Sequence, residues 1–527
     1  RSITLLPILG KVLERIVLAR AKRQMTRRRA QGRPLLDKFQ FGFVEKRSCQ
    51  EAVATLMTLR QVSNKRGKTF YAMFIDIKKA YDSVSHTGLL KRLTHLRVGG
   101  WTVELVRSWL TDRTVIVDMD GMLAERACRV ERGVPQGAVL SPLLFNLFMD
   151  EVTRSWAGLG VDACTDKGPL RVGGACFADD AVIFSEDAAQ LTDMWRRFRT
   201  WAETWGLTVA VGKCEAVAYS PRGWTAARRA QAKCQLREAL GDADGIPVCD
   251  GATYLGVPLH TKQSEASKAV TAKCRQKVAL SNWATSAFKP HTVPLTSLQF
   301  MQHGIMPLLT YGIEFLGNHK GMLNALQVAQ NKMAKTAMGG YRSTHATLMR
   351  ALAGWKDMRT IREGKVTLLC ARLTHGPVAE TRGLFQHHLA QEGNRLLPLY
   401  KEWKQCIRDV VTDGRTGAVE AEDAVQAAMD ADPLLVLRYR TIARAALWHP
   451  HTTGRDLLPV ARALHTYRRQ WTPGVFDWLD ESGELQATLR PYDVDDESAN
   501  ANDNTASAEM EMVQEVRAAD GGWDDVH

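Results

Sequence analysis

Asp179 and Asp180 adjoin inside the apolar run GGACFADDAVIF (residues 173–184), with no Lys or Arg beside them. Each carboxylate raises the cost of ionising the other, so the pair calls for a reason. A β-turn is one, because Asp is at home in turns. A divalent cation is another, since it removes the repulsion and uses the oxygens of both side chains. A third carboxylate, Asp76, interrupts the apolar run FYAMFIDI (70–77) near its C-terminal end. Nucleotidyl transfer on polyanions commonly runs on two divalent cations roughly 3.5–4 Å apart, one acidifying the attacking hydroxyl and the other stabilising the leaving oxygen. Carboxylates hold such a pair because Mg²⁺ prefers hard oxygen ligands and keeps its remaining positions for water and phosphate. An Asp-Asp turn by itself is weak evidence for that chemistry, which needs all three carboxylates at one end of adjacent strands.

The elements around these residues are legible in outline. FYAMFIDI has strand length and is apolar almost throughout, which predicts a strand buried on both faces. LRVGGACFADDAVIFSE predicts two strands folded about a turn at Ala178 to Asp180. A helix is expected from LSPLLFNLFMDEV, with Ser141 as its N-cap and Pro142 at the first helical position. Over residues 9–25 an amphipathic helix is expected with Leu9, Val12, Leu13, Ile16 and Val17 on its apolar stripe, followed by a basic loop, RRRAQGRP. Leu191, Met194, Trp195, Phe198, Trp201, Ala202 and Trp205 mark another helix face, ended by Gly206. Those tryptophans read as core rather than as stacking platforms for bases. Further strands are expected at CEAVAYS and near ATYLGVPLH, and residues 262–490 read as mostly helical and basic. Strands interleaved with helices describe an α+β domain.

Composition narrows the class. The chain has 527 residues, 45% hydrophobic and 24% charged, as in ordinary globular proteins of about two to four structural units. No apolar run approaches the roughly 18 residues of a membrane helix, and the N-terminus lacks a signal-peptide layout. It also lacks Met, which is expected of a piece of a longer protein. The ten cysteines contain no Cys-x-x-Cys and give neither a zinc motif nor a disulfide framework, so a reducing, intracellular setting is expected. From Arg490 onward two basic residues face eleven acidic ones, a net of −9 against +13 for the whole chain, so the remainder stands at +22. Such a body suits a polyanionic partner, nucleic acid above all, and without an apolar run of membrane length no membrane partner is expected. The tail from 491 is acidic, poor in aromatics and low in complexity, and is expected to be disordered.

Three blocks in order, FIDIKKAYDSVSH, RGVPQGAVLSPLLFNLFMDEV and CFADDAVIF, resemble the core motif series of reverse transcriptases. FQFGFVEKRS resembles the family's fingers block, WGLTVAVGKCEAVAYS the block after the Asp-Asp hairpin, and TYLGVPL the block that supports the primer. PLLTYGIEFLG is similar to the segment after the palm in polymerases of non-LTR (LINE-type) retrotransposons. The resemblance covers residues 1 to about 260, and more loosely to about 375. It implies a right-hand polymerase of α+β class, with N-terminally incomplete fingers at 1–69, a palm with an antiparallel sheet and interleaved fingers elements at 70–262 and a helical thumb or connection at 263–383; the mostly helical region at 384–490 and the acidic tail at 491–527 are read from pattern and composition alone.

The same resemblance implies roles. Asp76 and Asp179 would bind two Mg²⁺ ions (Mn²⁺ a substitute), with Asp180 the third carboxylate and the Ile77 carbonyl completing the coordination. Tyr81 falls where the family keeps an aromatic against the nucleotide sugar, which implies a preference for deoxynucleotides. Gln136 and Gly137 match the loop beside the nucleotide, Lys213 a lysine near the triphosphate, and Arg1 a fingers arginine. Asp82 reads as a structural partner. The implied partners are an RNA template, a DNA primer or target DNA and deoxynucleoside triphosphates, with a nuclease elsewhere in the full-length protein and the nucleus as the place of action. Three departures stand out: Ser2 for a usual Pro, Lys46 for a usual Gly, and Ala210 for a common Asn. None touches the carboxylates. The competing readings are a catalytically inactive, nucleic-acid-binding remnant of a retroelement and another palm polymerase, such as the group II intron type.

Overall fold

The computed structural model describes residues 4–404 apart from short breaks at 120–121, 166, 242–244, 288–293, 317–319, 341–342, 376–378, 389–399 and 402. The expectations for Arg1, for most of 384–490 and for the tail from 491 lie outside the described residues. In chain order the elements are α1 (Ile8–Ala30), α2 (Cys49–Lys65), β1 (Phe70–Ile75), β2 (Ile77–Lys78), α3 (His86–His95) and α4 (Gly100–Leu110). Four short strands follow, β3 (Thr114–Val115), β4 (Asp118–Met119), β5 (Met122–Leu123) and β6 (Cys128–Arg129), then α5 (Ser141–Ser155). Next come β7 (Val161–Thr165), β8 (Gly168–Val172), β9 (Gly174–Phe177), β10 (Asp180–Ser185), α6 (Ala188–Thr204), β11 (Thr208–Val209), β12 (Glu215–Tyr219) and α7 (Ala226–Leu240). After β13 (Val248–Cys249), β14 (Gly251–Tyr254) and β15 (Val257–His260) the described chain is helical: α8 (Gln263–Ala287), α9 (Pro294–Phe300), α10 (Met306–Thr310), α11 (Lys320–Ala337), α12 (Ala346–Leu352), α13 (Met358–His375) and α14 (Ala379–His388). The α+β expectation holds. None of the described helices is long and apolar enough to cross a membrane.

The central sheet has the order β13-β12-β1-β10-β9. β1 lies in its middle, antiparallel to both neighbours, and every one of its residues is buried. Its alternating side chains enter two cores: Tyr71, Met73 and Ile75 one, Phe70, Ala72 and Phe74 the other. That is why the strand reads as a continuous apolar run. α6 lines the first core with Trp195 and Phe198 fully buried and Trp201 nearly so, as expected of core aromatics. Asp187, not read as a cap, accepts from the Ala189 and Gln190 amides at its start.

Besides the basic run at 27–30, which is the last turn of α1 and not loop, four expectations need correction. Asp180 belongs to β10, so the turn is Ala178–Asp179, and Leu170–Val172 pairs with β7 in a separate hairpin. ATYLGVPLH is a hairpin, not one strand: Leu255 and Gly256, both at positive φ (44° and 75°), form the turn between β14 and β15. The stripe on α1 is largely exposed, with Leu9, Val12, Leu13 and Ile16 facing outward; the buried residues are Val17 and, against its polarity, Glu14.

Glu14 explains the fourth. Ser141 is not the cap of α5; the preceding Leu140 is, and it makes no side-chain cap bond. Instead Glu14 Oε2 accepts from the amides of Val139 (2.6 Å) and Leu140 (3.1 Å), while its Oε1 accepts from Trp109 Nε1 at 3.2 Å. A carboxylate at a helix N-terminus satisfies orphan donors and opposes the helix dipole. Glu14→Ala is therefore expected to destabilise the chain by about 2–3 kcal/mol, seen as a lower denaturant midpoint. Glu14→Gln, which can still accept, should cost less.

Candidate active site

Asp76 follows the last residue of β1, and the β1–β10 register ends at Ile75 opposite Ala181. One residue further along, that register sets Asp76 beside Asp180. Asp179 sits in the turn that closes β9 onto β10. The three carboxylates thus share one end of the central sheet. Asp76 and Asp179 are half-buried and Asp180 is exposed.

The backbone of Asp76 is held from the next segment, because its carbonyl accepts from the Ala210 amide at 2.8 Å. This is a main-chain contact, so the Ala for Asn departure leaves it intact. Ile77 is buried and stands opposite Val209 in the β2–β11 ladder. Lys213 lies at the far side, its Nζ 3.5 Å from Asp76 Oδ2. That lysine is 77% exposed, so the pair contributes little to stability and its ammonium is free to swing to another anion. Beneath them Cys214 is fully buried, and burial pushes its thiol pKa up, keeping a second negative charge away from Asp76.

Tyr81 is stacked on Phe145 of α5, ring centroids 4.6 Å apart and planes within 8°. Its carbonyl accepts from the Val134 amide at 2.9 Å, which lays the GVPQG segment against it. Gly133, at φ 88°, comes so close that a Cβ there would meet the Asp82 backbone at 2.7 Å. Gln136 Nε2 donates to Asp82 Oδ1 at 3.3 Å, so Asp82 is the structural partner expected of it, and Gly137 has φ 100°. Gln136 and Gly137 are thereby brought to the Tyr81–Asp82 turn, which follows Asp76 in the chain.

Two residues outside the predicted set fix the turn. A Cβ on Gly42 would lie 2.3 Å from the Ala178 nitrogen and 2.8 Å from the Phe177 carbonyl carbon. The Gly42 carbonyl accepts from Asn146 Nδ2 of α5 at 2.6 Å, and its amide donates to Gln40 Oε1 at 3.3 Å. The segment reaches the sheet through Phe41, whose amide donates to the Cys176 carbonyl of β9 at 2.8 Å. Ala178 carries φ 53° although it is not glycine, a strained conformation of the kind that collects at functional sites. Both Gly42 and Asn146 lie inside blocks that carry the family resemblance, but nothing in their spacing announces this contact. Lys46, where a Gly is usual, has φ 61°, so the backbone there keeps the conformation that glycine adopts easily.

Among the described residues no three of His, Cys, Asp and Glu are gathered closely enough to hold a metal ion. The donor chemistry nevertheless fits a hard divalent cation, since the sheet end offers oxygen ligands from Asp76, Asp179 and Asp180.

The family model described as reverse transcriptase (RNA-dependent DNA polymerase) matches residues 1–259. The chain is 26% identical over 362 residues to the RNA-directed DNA polymerase from mobile element jockey of Drosophila funebris, an alignment covering 64% of this chain and 35% of that protein. It is 28% identical over 352 residues to the probable RNA-directed DNA polymerase from transposon X-element of Drosophila melanogaster, with 64% and 35% covered. With the Pol polyprotein of a type-1 retrotransposable element R2 from Nasonia vitripennis it shares 32% over 193 residues, 36% of this chain and 18% of that one. The chain thus spans about a third of the length of the first two relatives. Among solved structures, telomerase from Candida albicans in complex with a fragment of telomeric RNA aligns over 79% of this chain and 56% of that one at 11% identity and a TM-score of 0.34, too remote to carry anything further. Residues 1–259 belong to the reverse transcriptase family.

Proposed function

We propose that this chain carries out RNA-templated DNA synthesis, adding deoxynucleotides to a primer 3′-hydroxyl in the replication of a non-LTR element. The observation that carries the reading is the placement of Asp76, Asp180 and the Asp179 turn at one end of the central sheet. In this reading residues 1–69 are fingers, 70–262 palm and 263–383 thumb. Asp76, Asp179, Asp180 and the Ile77 carbonyl would hold two Mg²⁺ ions, which when bound lower the pKa of the primer hydroxyl and offset charge on the leaving pyrophosphate. Lys213 exchanges its loose pairing with Asp76 for the triphosphate and can hand a proton to pyrophosphate. Tyr81, held flat on Phe145, walls the sugar pocket where a 2′-hydroxyl would project. Gln136, tied to Asp82, keeps the loop edge beside the base. The template is RNA, and the primer is nicked chromosomal DNA in the nucleus, with the nick made by a nuclease elsewhere in the full-length protein.

Primer extension on an RNA template with an annealed DNA primer, with and without Mg²⁺, tests this directly. Metal-dependent extension supports the reading; intact hybrid binding with no extension supports the inactive remnant. The wall argument adds a separate expectation. Tyr81→Val should narrow the preference for deoxy- over ribonucleotides by about tenfold or more, measured as the ratio of kcat/KM values. An unchanged ratio would remove Tyr81 from the sugar pocket.

A further inference from the structure

Phe39, Phe41 and Phe43 recur at alternate positions of the segment that runs along β9. The first two are 5% and 1% exposed and belong to the second core. Phe43 is 46% exposed, because its own φ of 52° carries the ring out of that face. A bulky residue at positive φ is an outlier, and an uncovered aromatic ring forgoes its burial as well. Both costs are placed next to the turn carrying Asp179. Gly42, the preceding residue, lies against the Ala178 backbone and is clamped by Asn146, so the Phe43 backbone is anchored beside the turn that carries Asp179.

The order across the sheet end limits what can cover the ring. Lys213 adjoins Asp76 on the β12 side, and Phe43 borders the β9 edge beyond Asp180. A triphosphate suits the cationic side. A bare aromatic face suits a group with an apolar face of its own, and bases already paired are stacked above and below. An unpaired base is not, and aromatic rings are its common platform. Lys46, three residues on and exposed, offers that strand a phosphate contact. We infer that Phe43 stacks against the first unpaired base of the template strand and positions it for pairing, an inference that rests on the polymerase reading above.

The test uses the full chain and a DNA primer on an RNA template whose first unpaired position carries 2-aminopurine. Binding by the parent should quench the probe. Phe43→Ala and Phe43→Gly should lose the quenching and weaken binding of the overhung hybrid about tenfold, while binding of a blunt hybrid stays the same. Phe43→Tyr should keep both signals. Gly separates ring from strain: it relieves the positive φ, so its melting temperature should not fall, yet the ring is gone. Quenching and overhang affinity unchanged in Phe43→Ala would overturn the inference, as would loss in Ala restored by Gly. The readout needs no catalysis, so a parent that quenches but does not extend a primer fails the polymerase reading alone. A parent that binds no hybrid fails both.

Discussion

Asp76→Asn and Asp179→Asn should each lower RNA-templated deoxynucleotide incorporation by about 10³-fold or more, and leave the affinity for the hybrid within a factor of about three. The first figure follows from the role given to the carboxylates: the charge stabilisation they organise is worth several kcal/mol of barrier, and each 1.36 kcal/mol is a factor of ten. Asn keeps the shape of Asp but not its charge. The fold should tolerate the change, because removing one of several neighbouring carboxylates relieves like-charge repulsion. The ion pair of Asp76 with Lys213 is weak, because the lysine end lies largely in solvent. Asp180→Asn should be milder, since Asp180 is the most exposed of the three. Binding rests on the many basic residues of the body and is expected to follow salt rather than these charges. Single-turnover extension against thermal melting of the same samples makes the measurement. Variants that melt like the parent yet keep a tenth of its rate would show that the carboxylates are turn residues and nothing more.

What could be read from the sequence divides by physical range. β1 was legible because both of its faces are buried, so burial wrote itself into six consecutive residues. The α6 tryptophans were legible for a related reason: one helix face meets one core, and the spacing records it. α1 misled because helical period shows that a stripe exists, not what covers it. Its buried polar residue, Glu14, serves a helix that begins more than 120 residues later, and no local pattern could announce that bond. The β14–β15 turn was hidden because Leu255 takes a conformation that turn rules assign to Gly or Asn. At the candidate site the carboxylates, Tyr81, Gln136 and Lys213 were named through the motif resemblance, and register, stacking and an ion pair then place them at one sheet end. The contacts that aim them, Gly42 on the turn and Asn146 on Gly42, join segments far apart in sequence, which spacing alone does not encode.

Gly42→Ala carries the second large effect, and it acts without touching any charged group. The added methyl would sit 2.3 Å from the Ala178 nitrogen and 2.8 Å from the Phe177 carbonyl carbon. Both are backbone atoms, so no side chain can rotate away. Gly42 cannot retreat either, because its carbonyl is bonded to Asn146 and the Phe41 amide beside it to Cys176. The weakest partner is the turn itself, already strained at Ala178 and closed by only two residues. Asp179 and Asp180 should therefore move together by the order of an ångström, a displacement that costs about 10²-fold in rate when reacting groups must align. Overpacking should also cost about 1–3 kcal/mol of stability. Gly10→Ala is the matched control: it lies in α1 with nothing within 4 Å of the added methyl, and should leave rate unchanged and stability equal or slightly higher. The signature is a lower kcat with little change in KM for the nucleotide, since the carboxylates are displaced while Tyr81 stays stacked against Phe145 of α5 and Gln136 stays tied to Asp82. A Gly42→Ala enzyme with parental kcat would mean that the turn yields freely, and that the carboxylates need no support from this segment.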